Sequence, residues 1–263
     1  MAKTKVPIRT IYYSDELNDD FAATNGIKQK QIDKNYNYFR EKNVFVKILS
    51  AFLYYIIAKP IVYILLKIVF RFKVINKKVM KKRGKKGCFI YSNHTHYLPD
   101  AALNSFTHKG RNYIIVGSQV VNIKGLNNLV QSLGAIPLGD TIDAKMNFLR
   151  CIDSKLKKNA SITIYPEAHI WPYYTKIRNF SNKSFRYPVN LNVPVFSTTT
   201  CYTKTKHLSK PKIIFVIDGP FYPDTNLSKE DAMSKLRDQV YDAMAKATSK
   251  YSNYQYIEYI KKK

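Results

Sequence analysis

The sequence predicts an α/β protein, a central mixed sheet flanked by helices, with an N-terminal membrane-associated helix or hairpin. Three observations predict it. Past Gly87, short runs rich in Ile, Val, Phe, Tyr and Thr alternate with helix-like stretches, as in a layered α/β domain. Before it, Val44 to Phe70 reads VFVKILSAFLYYIIAKPIVYILLKIVF, long enough to cross a hydrocarbon core of ~30 Å at ~1.5 Å per residue. Finally, 44 Lys and Arg against 18 Asp and Glu give a net charge of +26, crowded around that apolar run.

These features divide the 263 residues into a polar leader (1–42), an anchoring segment with its basic flank (43–86) and a catalytic-type domain (87–263). The leader carries Asp15, Glu16, Asp19, Asp20, several Asn and a Lys/Gln run, and is expected to fray or form a short surface helix. It contains no apolar run of the kind a signal peptide needs. In the anchor, Pro60 is expected to kink the helix or turn it back as a re-entrant hairpin. Lys47, Lys59 and Lys67 would snorkel to lipid phosphates.

Both flanks are basic. Lys28, Lys30, Lys34, Arg40 and Lys42 precede the run; Arg71, Lys73, Lys77, Lys78, Lys81, Lys82, Arg83, Lys85 and Lys86 follow it. A spanning helix would concentrate positive charge on one side. The symmetry therefore favours a monotopic segment over a single pass, held at the cytoplasmic face of the cell membrane by an anionic leaflet.

In the domain, strand candidates are Cys88 to Ser92, Tyr113 to Gly117, Ser161 to Tyr165, Val193 to Tyr202 and Lys212 to Ile217. Helix candidates are Pro99 to Phe106, Gly125 to Leu133, Asp143 to Lys158 and Ser228 to Lys250. The last starts on Ser228 as N-cap with Asp231 three residues on, close to a capping box. Asp140 and Asp143 read as turn and N-cap residues.

Several functions are disfavoured. Cys88, Cys151 and Cys201 are widely spaced, with no CxxC pair, and read as buried small hydrophobes rather than disulfides or zinc ligands. No compact Asp/Glu/His cluster has metal spacing, and no Gly-rich phosphate loop occurs. A nucleic-acid partner would not require the apolar segment around which the charge gathers. His108, His169 and His207 are isolated and read as surface residues.

The chemistry-bearing segment is YSNHTHYLPDAALNSF, Tyr91 to Phe106. A buried strand would deliver Asn93 and His94 to its C-terminal end, and Pro99 would start a helix with Asp100 in its first turn. Ligands bind at such edges of α/β sheets. A carboxylate bonded to one imidazole nitrogen leaves the other as a base. The same pair also reads as a strand-end residue and a helix-terminus charge.

Four ordered blocks, SNHTHYLPD (Ser92 to Asp100), LGAIPL (Leu133 to Leu138), IYPEAH (Ile164 to His169) and NVPVFS (Asn192 to Ser197), resemble the glycerolipid acyltransferase family. The resemblance implies acyl transfer from acyl-CoA or acyl-carrier protein to the hydroxyl of a lysophospholipid-like acceptor of the 1-acylglycerol-3-phosphate type, in phospholipid biosynthesis. It implies His94 as general base oriented by Asp100, no obligatory acyl-enzyme, and no cofactor beyond the acyl thioester. A non-catalytic lipid-binding protein on the same scaffold is the alternative.

Three departures stand out. The family spacing His-x4-Asp is one residue longer here, which makes His96 a second candidate base or an acceptor contact. Leu138 occupies the place of a phosphate-holding arginine in the second block. Pro166-Glu167-Ala168-His169-Ile170 replaces Pro-Glu-Gly-Thr-Arg, keeping Glu167 and losing the arginine. Lys176 and Arg178 downstream are the candidate substitutes for holding phosphate, and Asn93 and Glu167 complete the substrate-binding set. Trp171, Pro172, Tyr173 and Tyr174 would border an acyl channel, rest at the lipid interface, or pack a loop on the sheet.

Overall fold

The computed structural model describes residues 9–21, 30–205 and 210–262, so Lys28 of the basic flank and His207 lie outside the described residues. In chain order the elements are β1 (Arg9–Tyr13), α1 (Val44–Phe52), α2 (Lys59–Phe70), β2 (Lys73–Ile75), β3 (Cys88–Ser92), α3 (Tyr97–Ala102), β4 (Asn112–Val116), α4 (Ser118–Val121) and α5 (Asn127–Ser132). There follow β5 (Ala135–Pro137), α6 (Ile142–Lys157), β6 (Ser161–Ile164), α7 (Arg186–Leu191), β7 (Val195–Thr203), β8 (Lys212–Phe221), α8 (Lys229–Tyr251) and β9 (Ile257–Lys261).

Seven strands form the central sheet in the order β2-β8-β7-β3-β6-β4-β5. Neighbours run parallel except β7 and β8, which pair antiparallel, so the sheet is mixed as expected. β3 is buried along its whole length because both faces are covered. Phe89 and Tyr91 pack towards Phe148 and Ile152 of α6 and Leu236 and Val240 of α8. Cys88 and Ile90 point the other way, to Leu66 and Phe70 of α2 and to Leu103 and Phe106 after α3. This alternation is the period-two pattern of a strand sandwiched between helical layers. The three cysteines are free and buried.

The anchor is one continuous helix of 27 residues, Val44–Phe70, and this corrects the hairpin expectation. Asn43 caps its start by accepting from the Val46 N–H at 3.2 Å. A π-helical turn, Leu53–Ala58, joins α1 to α2 and places Pro60 in the first turn of α2, where its missing N–H is tolerated. Docking runs the full length: Ser50, Tyr54, Leu66 and Phe70 are buried and Ala58 and Val62 partly so, a stripe at every fourth residue. In an ideal α-helix, positions four apart advance ~40° beyond a full turn, and the wider π turn takes part of that drift back. The remaining faces expose Phe45, Ile48, Phe52, Ile56, Ile61, Ile64 and Ile68.

Two of the lysines expected to snorkel are turned back onto the domain. Lys59 Nζ lies 5.7–5.9 Å from the ring centres of Tyr54, Tyr55 and Phe106, and Lys67 Nζ donates to the Phe72 carbonyl at 2.9 Å.

The leader also differs from expectation. β1 pairs in parallel with β9, closing a two-stranded sheet between the two ends of the described chain, while Ile32 and Tyr38 enter the main core. Its Asp19 is used for a turn, accepting from the Ser14 N–H at 2.6 Å, and Asp140 of the domain holds the leader in place by accepting from the Ile32 N–H at 2.6 Å. Thr141, rather than Asp143, caps α6, accepting from the Ala144 N–H. Ser228 caps α8 as expected, accepting from the Asp231 N–H at 3.2 Å.

His108, expected on the surface, is largely buried with Nδ1 3.0 Å from Thr107 Oγ1. Burial, then the charges of Arg83 and Lys59, push its pKa down from 6.5 to about 3. The unfolded chain therefore takes up this proton near pH 6.5 while the folded chain does not. Stability is complete above that pH and is lost on acidification, at up to ~1.4 kcal/mol per pH unit from this group. His108→Gln should flatten the fall in urea midpoint between pH 6.5 and about 4 relative to wild type; parallel curves would sink this assignment.

Candidate active site

β3 ends at Ser92, and the chain then turns from Asn93 to His96 before α3 begins. Asn93 is fully buried and clamps β7: its Nδ2 donates to the Thr200 carbonyl at 3.1 Å and its Oδ1 accepts from the Thr200 N–H at 2.8 Å. It therefore fixes where the next residue emerges, in place of the substrate contact expected of it. His94 is the residue so placed, with 19% of its side chain exposed.

His94 Nδ1 lies 2.8 Å from Asp100 Oδ2. The same oxygen accepts the backbone N–H groups of Thr95 at 2.7 Å and His96 at 2.9 Å. The residue added to the usual spacing is absorbed here, because the longer turn wraps its amides around the carboxylate. Asp100 itself is 3% exposed, in the first turn of α3. With Nδ1–H donated to a carboxylate, Nε2 is the nitrogen left with a lone pair. Among the described residues no protein group bonds it.

Tyr165, at the end of β6, stacks on the His94 ring with centroids 4.3 Å apart and planes at 24°. Its hydroxyl donates to the Asp100 carbonyl and accepts from Asn104 Nδ2 at 3.1 Å. Asn104 Oδ1 in turn accepts from Thr198 Oγ1 at 2.8 Å. None of these supporting residues carries a sequence motif of its own. Tyr165 stands directly before the Pro-Glu pair at a strand end, which is the signal that could have found it.

Glu167 lies behind the imidazole rather than in a cleft. Its side chain is 1% exposed; it accepts the His94 N–H at 3.0 Å and the Arg178 N–H at 2.9 Å. The Arg178 guanidinium lies 3.3 Å away, bonds the His169 and Glu16 carbonyls, and sits over Trp171 at 4.9 Å. Desolvation pushes the Glu167 carboxyl up, against the pull of Arg178 and the two backbone N–H groups. Arg178 is thus consumed by a buried ion pair and corrects the expectation of a free phosphate-holding cation. Lys176 stays exposed, and the structure does not join it to His94.

His96 is half-buried, edge-on to Phe70 (4.9 Å) and Tyr173 (5.2 Å), and burial holds its pKa below 6.5. Its backbone rather than its ring meets Asp100, the N–H donating to Oδ2 and the carbonyl accepting the Asp100 N–H at 3.1 Å, so the ring contact with the carboxylate belongs to His94. Trp171 is completely buried against Tyr13, Phe21 and Tyr259, which settles the packing reading of that cluster. Two backbone bonds, Trp171 N–H to His94 O at 3.1 Å and Tyr173 N–H to Thr95 O at 3.0 Å, bind this loop to the active turn.

Beside α3 lies an apolar groove of about 280 Å³. Tyr54, Ala58 and Val62 of the anchor helix form one wall, Leu98 and Ala102 of α3 a second, and Ile114 and Val116 of β4 the floor. Gly134, the glycine of the second block, adopts φ +111° at its edge, where a Cβ would come within 2.8 Å of the Asn112 carbonyl. Among the described residues there is no group of three or more metal-ligating side chains.

Residues 71–200 match the family model described as Acyltransferase, a stretch that contains all four blocks. Among solved structures, the fold is similar to the crystal structure of the 1-acyl-sn-glycerophosphate (LPA) acyltransferase, PlsC, from Thermotoga maritima. That likeness has a TM-score of 0.54 at 19% identity and covers 82% of this chain and 92% of the other. No curated protein sequence matches the chain.

Proposed function

We propose that this chain, which belongs to the acyltransferase family through residues 71–200, moves a fatty acyl group from acyl-CoA or acyl-carrier protein to the hydroxyl of a lysophospholipid-like acceptor at a membrane surface. The observation that carries the reading is the His94–Asp100 pair, with Nε2 unbonded; the apolar groove is lined by Leu98, Ala101 and Ala102 of α3, the helix that also carries Asp100. Nε2 takes the hydroxyl proton as the acceptor oxygen attacks the thioester carbonyl. The C–O bond forms, the C–S bond breaks, and the imidazolium returns its proton to the departing thiolate. Asp100 holds the ring and stabilises the imidazolium, while Tyr165 and Glu167 fix its plane and its backbone.

The acyl chain suits the groove: its lining is apolar, and each buried methylene is worth ~0.8 kcal/mol. The acceptor end is the less family-like part. Leu138 and Ile170 stand where arginines would hold a phosphate, and Arg178 is paired with Glu167. A phosphate-bearing acceptor would need other cations, so the panel of acceptors must extend past lysophosphatidate. The unbroken dyad supports catalysis over a lipid-binding scaffold. The apolar helix Val44–Phe70 and the basic flanks support attachment to an anionic leaflet, with the cytoplasmic face the side that suits them.

The test is to offer detergent-purified protein labelled acyl-CoA or acyl-carrier protein with lysophosphatidate, zwitterionic and anionic lysolipids, and a phosphate-free monoacylglycerol. Labelled product should appear with at least one acceptor. Folded protein that transfers from neither donor to any acceptor would overturn the reading.

A further inference from the structure

The anchor helix is not the only exposed apolar surface on its side of the molecule. Leu126, Leu129 and Leu133 lie along one face of α5 and its entry, and are 44%, 42% and 36% exposed. α5 is fastened to the start of the anchor: Ser50 Oγ lies 3.0 Å from Ser132 Oγ, and Arg40 donates to the Asn128 carbonyl at 3.0 Å. These bonds hold the α5 leucines beside the first turns of the anchor, which expose Val44, Phe45 and Ile48.

Charge marks the same region. Between Lys42 and Gly139 the chain contains a single acid, Asp100, and that one is buried against His94. No carboxylate from these residues faces outward to repel an anionic surface. The groove lies between the two elements: Tyr54, Ala58 and Val62 line one side, Val130 and Leu133 the other.

We infer that α5 is a second membrane contact, its leucine face entering the acyl region of the same anionic leaflet as the anchor, so that the groove opens directly into lipid. Exposed leucines in such numbers are expensive in water and cheap in a leaflet. Basic residues around them hold the surface to anionic headgroups. A chain could then pass sideways from the leaflet between α5 and the π turn without crossing water. The inference rests on membrane attachment of the anchor but not on any transfer activity.

The experiment uses the full chain and phosphatidylglycerol-containing vesicles with brominated acyl chains. The protein has one tryptophan, Trp171, which is buried and supplies a constant background. Leu129→Trp should show quenching on vesicle binding, whereas Leu227→Trp, exposed ahead of α8, should not. Leu126→Glu with Leu129→Glu should weaken vesicle affinity about tenfold or more with unchanged circular dichroism. Wild type that sediments with vesicles while Leu129→Trp stays unquenched would overturn the α5 contact and leave the anchor intact. Wild type that does not sediment would overturn both, and acyl transfer to detergent-dispersed acceptor would still be measurable.

Discussion

His94→Ala should lower kcat for acyl transfer by about 10²–10⁴-fold, the usual scale of a lost general base, with the fold preserved. The imidazole is partly exposed, and its removal leaves the backbone bonds of residue 94 to Glu167 and Trp171 in place. Asp100 is a harder position to test. Its Oδ2 serves two backbone amides as well as His94, so Asp100→Ala would strand buried N–H groups at about 1–3 kcal/mol each. Asp100→Asn keeps an acceptor oxygen while removing the charge that steadies the imidazolium, and should cost kcat with a smaller loss of stability. His96→Ala should retain kcat within a few-fold, since its ring packs on Phe70 and Tyr173. Steady-state kinetics beside thermal unfolding would decide. A His94→Ala variant at full turnover, with His96→Ala inactive, would move the base.

Breaking the Glu167–Arg178 pair should be the most destabilising single change near the site. Both side chains are 1% exposed, so removing either partner leaves an uncompensated buried charge, at about 3–5 kcal/mol. Glu167→Ala also frees the His94 N–H, and should lower activity even where the protein remains folded. Arg178→Met loses the bonds to the His169 and Glu16 carbonyls and the contact with Trp171. The double variant Glu167→Gln/Arg178→Met should cost less than the sum of its parts, because no lone charge remains. Urea unfolding in detergent reads this out. Single variants within 1 kcal/mol of wild type would mean that water reaches the pair.

Much of this architecture could be read from the residues, and for identifiable reasons. β3, β4, β6, β7 and β8 are runs of β-branched and aromatic residues bounded by turn formers, and α8 starts on a good cap. β2 and β5 are three residues long, too short for a period to emerge. β1 needs β9 as partner, a pairing across almost the whole chain that no local window contains. Pro60 suggested a break because the π turn that accommodates it has no sequence period of its own. At the site, the His94–Asp100 relation was legible since six positions separate the two. From sequence Arg178 reads as a phosphate-holding cation, because the partner that consumes it is set by a loop that folds back through Trp171. Asn93 looked like a ligand residue, and only the register of β7 reveals its use as a clamp.

The stripe by which the Val44–Phe70 helix docks has a practical consequence. Leu66 and Phe70 are core residues, and Tyr54, whose hydroxyl accepts the Asn112 N–H, is also a wall of the groove. Trimming the helix to obtain a soluble protein would therefore remove one wall of the groove proposed for the acyl chain and open the hydrophobic core at one stroke. Solubility and activity cannot be separated by truncation here. A water-soluble version would have to be sought by recolouring the outward residues, Ile48, Ile56, Ile61, Ile64 and Ile68, while leaving every fourth position from Ser50 to Phe70 untouched.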